Sequence, residues 1–334
     1  MNAKSSDTIP DVRRHDAAHI LTRVSDAYRR FLMLFFAIVG PAAAYGIMAG
    51  LARCFYRLAD PVRQRSEAQC RAALGDRLDD NSVRRVAEQA FVHRAWNLAD
   101  LLLAPRYVRA SNYRRYGGDF PEPYLGLLRQ AQKERRPVIL LTAYYGPYDL
   151  LPLFLGHNGI QAAAVYRRHG NPSYDAFRQN VRTSSGCDLI AVEQAIERLP
   201  RELENGGTVA ILSDHHAARR GIPVCFLGIP TAVSPAVGLL AQRYDAIIAV
   251  AGIHRLRSSF RFEIRVSDFF DARVWRNQSD PATFITQRYV RALERIVLAD
   301  PSQYLWAHAR WGNLETSAAE ISSEPSAVEE AKDD

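Results

Sequence analysis

Apolar residues fall into two rhythms along this chain. Over Ser82–Leu103, residues Ala87, Phe91, Ala95, Leu98 and Leu102 recur at helical spacing, which predicts a helix capped by Asn81 or Ser82 and stopped near Pro105. From Pro137 onward, short apolar runs alternate with helical patterns. Pro137–Thr142, Gln161–Tyr166, Asp188–Val192, Thr208–Ser213 and Ala246–Ile253 read as strands. Leu150–Leu155, Tyr174–Ser184, Ala195–Asn205, Ser234–Tyr244 and Pro281–Ala299 read as helices, with Gly206-Gly207 a stop for the third of these. Phe260–Val266 alternates and is expected to pair with the strand before it as a hairpin; Tyr304–Ala307 reads as a last short strand. Strands alternating with helices predict an α/β fold with a central, largely parallel sheet flanked by helices.

A different pattern precedes these elements. Phe31–Ala52 is 22 residues without a charge. At about 1.5 Å per residue, a helix of that length matches the roughly 30 Å hydrocarbon core of a bilayer. Arginines flank it on both sides (Arg29 and Arg30, Arg53 and Arg57), so charge leaves its orientation open. Gly40-Pro41 interrupts it, and Gly46 and Gly50 form a GxxxG spacing. The segment reads either as one bent span or as an embedded helix followed by a second helix lying on the globular domain. A buried core hairpin fits less well, because Phe31–Phe36 has no polar face. The expected organisation is a polar segment over 1–30, a membrane-anchoring helix or hairpin over 31–58, an α/β domain over 59–314 and an acidic, disordered tail over 315–334.

Composition changes the picture in one respect. Net charge is +7, but the tail from Glu315 carries −6, so the body carries +13. A basic body suits an anionic partner such as a phospholipid surface, a phosphorylated glycolipid or an acidic carrier protein. Nucleic acid has only the charge in its favour, and the apolar anchor explains that charge better. The four cysteines show no CxxC or metal-ligand spacing, and a reducing compartment is the simpler reading. The glycine-rich patterns of nucleotide-binding α/β proteins are absent.

The turn after the first predicted strand, Thr142-Ala-Tyr-Tyr-Gly-Pro-Tyr-Asp149, lies where open α/β sheets bind ligands. It resembles the first motif of the lipid A biosynthesis (lauroyl/myristoyl-type) acyltransferase family, Thr-Ala-His-x-Gly-Asn-Trp-Glu, and the His-x4-Asp of the wider glycerolipid acyltransferases. Tyr144 and Asp149 keep the spacing, Gly146 matches, and Tyr144 replaces the histidine. Further blocks follow in order. Val165–Pro172 is similar to Tyr-Arg-x3-Asn-Pro, Arg182-x3-Gly186 to Arg-x3-Gly, and Gly207–His215 to Gly-x-Val-Ala-x-Leu-x-Asp-Gln. Val224–Pro230 is similar to Val-x-Phe-Phe-Gly-x-Pro, and Leu305–Trp311 to Trp-x-His-x-Arg-Trp. The likeness runs from about Phe31 to Trp311.

The resemblance implies a glycerolipid acyltransferase-like fold at the cytoplasmic (inner) membrane, with the α/β domain on the cytoplasmic side. It implies transfer of a fatty acyl group from acyl-carrier protein or acyl-CoA, as co-substrate with no other cofactor, to a hydroxyl of a lipid A-like glycolipid or a lysophospholipid. Tyr144 and Asp149 take the catalytic positions, and Arg167, Asn171, Arg182 and Asp214 the substrate-binding ones. The family's histidine acts as general base, which needs a pKa near ambient pH. Tyrosine titrates near 10, and a neighbouring carboxylate at Asp149 would raise it further. Three readings follow. Another base acts, with His215, His216 and His169 as candidates on loops at the same sheet edge. Tyr144 and Asp149 only position substrate. Or the chain is an inactive relative that binds lipid or scaffolds a lipid-synthesis partner. For Arg167 and Arg182 the bland alternatives are solvation or pairing with Asp175 or Asp188. For His254 and His308 the expectation is satisfied core residues.

Overall fold

The computed structural model describes residues 12–217, 221–308, 310 and 311. The acidic tail 315–334 and the first residues of the polar segment 1–30 lie outside them. In chain order the elements are α1 (Val12–Leu58), α2 (Asp60–Leu74), α3 (Asp80–Tyr107), α4 (Tyr124–Lys133), β1 (Val138–Thr142), α5 (Leu151–His157), β2 (Ala162–Tyr166), α6 (Pro172–Thr183), β3 (Asp188–Ala191), α7 (Ala195–Glu204), β4 (Thr208–Leu212), β5 (Ile222–Phe226), β6 (Ile229–Val233), α8 (Ala236–Tyr244), β7 (Ile247–Arg255), β8 (Phe262–Phe270), α9 (Ala272–Trp275) and α10 (Pro281–Ala299).

Six strands form one sheet in the order β3-β2-β4-β1-β7-β8. All neighbours run parallel except β8, which pairs antiparallel with β7. Every residue of β1 and of β7 is buried, as expected of strands covered on both faces. The expected hairpin is therefore real, with β8 reaching Phe270. Tyr304–Ala307 is not a strand. Tyr304 makes an isolated bridge to Tyr145 and the chain then turns through Leu305–His308, because the Trp306 amide bonds back to the Tyr304 carbonyl instead of continuing a ladder. The β5–β6 hairpin was not foreseen. Pro223 and Pro230 interrupt the strand pattern there, and both are tolerated because the two strands form a separate antiparallel pair.

The chain from Val12 to Leu58 is helical throughout except at Gly40, whose φ of 79° and ψ of 169° bend it before Pro41. The stretch Arg23–Leu58 is long and apolar enough to cross a membrane. It lies along the domain. Phe36, Ala44, Tyr45, Ala49, Ala52 and Tyr56 are buried, with α3 as the main support. Near its start, Ser25 Oγ accepts from Nδ2 of Asn171, the residue that caps α6, at 3.1 Å, and Asp26 accepts from Ser173 Oγ in the first turn of α6 at 2.7 Å. Arg29 stacks over Phe177 at 4.6 Å. The opposite face leaves Val24, Phe31, Leu34, Ile38, Leu51 and Phe55 exposed. Gly46 and Gly50 face outward, and a Cβ at either would meet nothing within 4 Å among the described residues.

One buried polar cluster joins α1, α3 and β7. Arg255 and Asp100 side chains are both fully buried and paired. Arg255 also donates to His93 Nδ1 at 2.8 Å and Asn97 Oδ1 at 2.6 Å, and Tyr45 donates to Asp100. Burial, reinforced by the Arg255 charge, pushes His93 down to about 3 and keeps it neutral.

Candidate functional site

The site forms where β1, β4 and β2 end side by side. β1 and β4 pair in register from Val138↔Thr208 to Thr142↔Leu212, so two residues on, Tyr144 and Asp214 again face each other. The Tyr144 amide donates to Asp214 Oδ2 at 3.1 Å, and Tyr304 Oη donates to the same oxygen at 3.1 Å. Asp214 is fully buried, and it ties the ends of the two strands to the closing turn. That turn is fixed again by Leu305 N, which donates to the Tyr144 carbonyl at 3.0 Å.

Gly146 makes the bend after β1 possible. Its φ is +55°, and a Cβ there would lie 1.9 Å from the Ile253 carbonyl oxygen. Its own carbonyl accepts from Asn97 Nδ2 at 2.7 Å, and its amide donates to the Gln303 carbonyl at 3.0 Å. Asn97 thus links the bend to the buried Arg255 cluster. Tyr148–Leu150 forms a single 3-10 turn before α5, with Asp149 in it.

Asp149 does not meet Tyr144. Its carboxylate accepts from Arg178 Nη2 at 2.9 Å and is paired with Arg182, both on α6. Burial would raise this carboxyl, but the Arg182 and Arg178 charges outweigh burial and hold it below the usual carboxylate range. Arg182 is buried and paired here, so neither solvation nor Asp188 explains it; Asp188 pairs with Arg198 instead. Arg178 lies one helical turn before Arg182 on the same face. The sequence offered that spacing, but an arginine at i−4 has no signature of its own.

The Tyr144 phenol meets histidine. Tyr144 Oη lies 3.2 Å from His215 Nε2, and the two rings pack edge to face with centroids 5.2 Å apart. His215 Nδ1 sits 3.2 Å from the Leu212 carbonyl oxygen. His308 completes the group, its ring 5.3 Å from Tyr144 and 5.7 Å from His215. Tyr148 packs on the other side of Tyr144 at 5.0 Å. Burial raises the Tyr144 phenol, and Asp214 adds to the effect, so it stays protonated at neutral pH. Burial likewise lowers His308.

The other expected site residues are dispersed. His216 bonds Thr231 on the β5–β6 hairpin, its Nδ1 3.1 Å from the hydroxyl. His169 is exposed; its Nδ1 accepts from the Asn171 amide at 3.0 Å and its ring packs on Tyr174. Asn171 caps α6 by accepting from the Tyr174 amide and reaches α1 through Ser25. Arg167 is exposed at the end of β2, with its charge felt at Tyr144 and His308. Asp175 is engaged by the His169 amide and Gln179, so it is not the partner of Arg167. Arg310 is buried over the Phe226 ring at 4.7 Å. His254 is the core residue expected, bonded to Tyr145 Oη at 2.8 Å. His308 is not: it belongs to the Tyr144 group, brought there by the turn that replaced the expected last strand.

Beside Asp149 a cavity of about 690 Å³ opens between α1, α3 and the β1 bend. Its walls are apolar, including Leu51, Phe55, Phe91, Leu98 and Leu101, and Arg65, Arg94 and Arg178 add three guanidinium groups. His169, Tyr174 and Tyr148 line it near the carboxylate. A family model described as bacterial lipid A biosynthesis acyltransferase matches residues 20–313. No curated protein matches the chain significantly.

Proposed function

Because the chain belongs to the bacterial lipid A biosynthesis acyltransferase family, we propose that it transfers a fatty acyl group from an acyl-carrier protein or CoA thioester to a hydroxyl of a lipid A-like glycolipid or a lysophospholipid at the inner face of the cytoplasmic membrane. The cavity beside Asp149 carries this reading. Its volume falls within the usual range of about 300–1,000 Å³ for ligand sites. It joins an apolar wall, which suits acyl chains, to a rim with Arg65, Arg94 and Arg178, which suits phosphate. The cavity shares Leu51 and Phe55 with the outer, apolar face of α1, so that face continues into the cavity.

In this reading Asp149 holds Arg178 and Arg182 in place, and those arginines with Arg167 face the anionic part of the substrates. Tyr144 and Asp149 line the reacting region, Asn171 fixes the loop and α1, and Asp214 holds the strand ends. The test is turnover by the detergent-purified protein of labelled acyl-carrier protein and acyl-CoA against a panel of glycolipid and lysolipid acceptors. Ala95→Trp, which fills the cavity, should cut that turnover at least tenfold while leaving the melting temperature within about 3 °C. No turnover on the whole panel by the wild-type protein would refute acyl transfer.

One observation favours a second reading, a lipid-binding relative without catalysis: the position of the family's histidine is a phenol held protonated by burial. It predicts lipid copurifying with the protein and no turnover.

A further inference from the structure

Two of the places where this sequence leaves the motifs it resembles, tyrosine for histidine at 144 and histidine for glutamine at 215, touch in the fold. The Leu212 carbonyl can only accept, so His215 Nδ1 must carry the proton of that 3.2 Å contact. Neutral imidazole then has its lone pair on Nε2, and Nε2 faces Tyr144 Oη. Tyr144 therefore donates to it. We infer that His215 is the proton acceptor of this site, and that Tyr144 relays the acceptor hydroxyl's proton to it. The inference rests on the acyl-transfer reading and gives that reading the base that position 144 lacks.

The step balances. As the acceptor O–H proton passes to Tyr144 Oη, the phenol proton passes to His215 Nε2. The freed oxygen attacks the thioester carbonyl carbon and the C–S bond breaks. The imidazolium returns its proton to Tyr144, and Tyr144 gives one to the departing thiolate. Ester and free thiol are the products, and no full phenolate forms. That matters because burial and Asp214 make a free phenolate costly here. The concerted hand-over needs only a neutral imidazole whose lone pair faces the phenol. The rings facing His215 are Tyr144 from the β1 bend, with Tyr148 packed on it, and His308 from the closing turn, at which the charges of Asp214 and of Arg167 from the end of β2 are felt.

Two measurements test it, and the first needs no turnover. In detergent-solubilised protein labelled with ¹⁵N-histidine, long-range ¹H–¹⁵N spectra report the neutral tautomer, with the His215 signals identified by their loss in His215→Gln. The expected result is protonation at Nδ1, shifting toward Nε2 in Tyr144→Phe. A neutral His215 protonated at Nε2 in the wild type overturns the relay whatever the activity. In the second, His215→Gln should lower kcat by about 10²–10⁴-fold with KM within about threefold, and remove the rising limb of the kcat–pH profile. Tyr144→Phe, a second variant that keeps the ring in place, should lower kcat comparably. A His215→Gln enzyme with near wild-type kcat, or one that keeps the limb, overturns the proposal and assigns the limb to His308. Wild-type inactivity instead removes acyl transfer itself, and the tautomer still decides whether the hydrogen bond exists.

Discussion

Asp100→Leu is the sharpest test of how the scaffold holds the site. The substitution adds side-chain volume and removes the carboxylate that pairs with Arg255, and both side chains are fully buried. What remains is a guanidinium in an apolar interior, with only neutral partners at His93, Asn97 and Tyr45. Breaking a buried ion pair from one side costs about 3–5 kcal/mol. For a chain of this size a kilocalorie corresponds to about 2 °C or slightly more, so the melting temperature should fall by about 6–12 °C. Arg255→Met alone strands the buried Asp100 and should cost a similar amount. The double variant Asp100→Leu/Arg255→Met leaves no charge behind, and should recover to within about 2 kcal/mol of the parent. The assay is thermal unfolding in one detergent, followed by tryptophan fluorescence, with the three variants compared as a double-mutant cycle. A single variant costing under about 1 kcal/mol, or a double variant as unstable as the two singles added, would refute the claim that an uncompensated buried charge is the damage.

Other consequences are measurable. Gly146→Ala must push its methyl into the Ile253 carbonyl at a left-handed φ, so at least about 3 kcal/mol of stability should be lost together with activity; a melting temperature within 2 °C of wild type would contradict the geometry. His93 is neutral when folded and titrates near 6.5 when unfolded, so the unfolded chain binds the extra proton between those values. Its contribution is intact above about pH 6.5 and is lost at about 1.4 kcal/mol per unit as pH falls toward 3; His93→Gln should flatten the melting-temperature decline below pH 6.5, and identical pH slopes would count against it. The Phe31→Ser/Leu34→Ser/Ile38→Ser variant removes three exposed apolar side chains at about 2 kcal/mol each, so it should lose flotation with vesicles of anionic phospholipid while unfolding at an unchanged temperature in detergent. Undiminished flotation would place membrane contact elsewhere.

Much of this was legible in the sequence where local pattern decides structure. The helix Pro281–Ala299 appears with the bounds its periodicity predicts, and the five runs read as parallel-sheet strands fall within a residue or two of the observed ladders, while β8 runs four residues past its expected end. The failures share a cause. Tyr304–Ala307 has the composition of a strand, but its backbone bonds close a turn on Tyr144, a long-range contact that no local window contains. His308 was read as core for the same reason. Asp149 and Tyr144, five positions apart, looked like partners. Yet the 3-10 turn at Tyr148–Leu150 presents the carboxylate to α6, where Arg178 and Arg182 take it.

Tyr144 therefore has a different meaning in three dimensions than the motif resemblance implies. Read along the chain, tyrosine removes the base and leaves Asp149 with nothing to orient. In the fold Asp149 has a task that never involved residue 144, as counter-charge to two arginines. The register of β1 with β4 sets 144 opposite 214, which brings 215 within reach. A histidine at 144 would bring a third imidazole up against His215 and His308, three rings within about 6 Å by the centroid distances Tyr144 makes now. Such a cluster disfavours the protonated form of each member, which is the form a base must reach during transfer. Tyrosine at that position avoids the repulsion, since it passes a proton without ever holding a net positive charge. The pair at 144 and 215 thus makes physical sense only when taken together: the phenol is useful because the histidine sits behind it, and the histidine can receive a proton because no third cationic ring stands between it and the substrate.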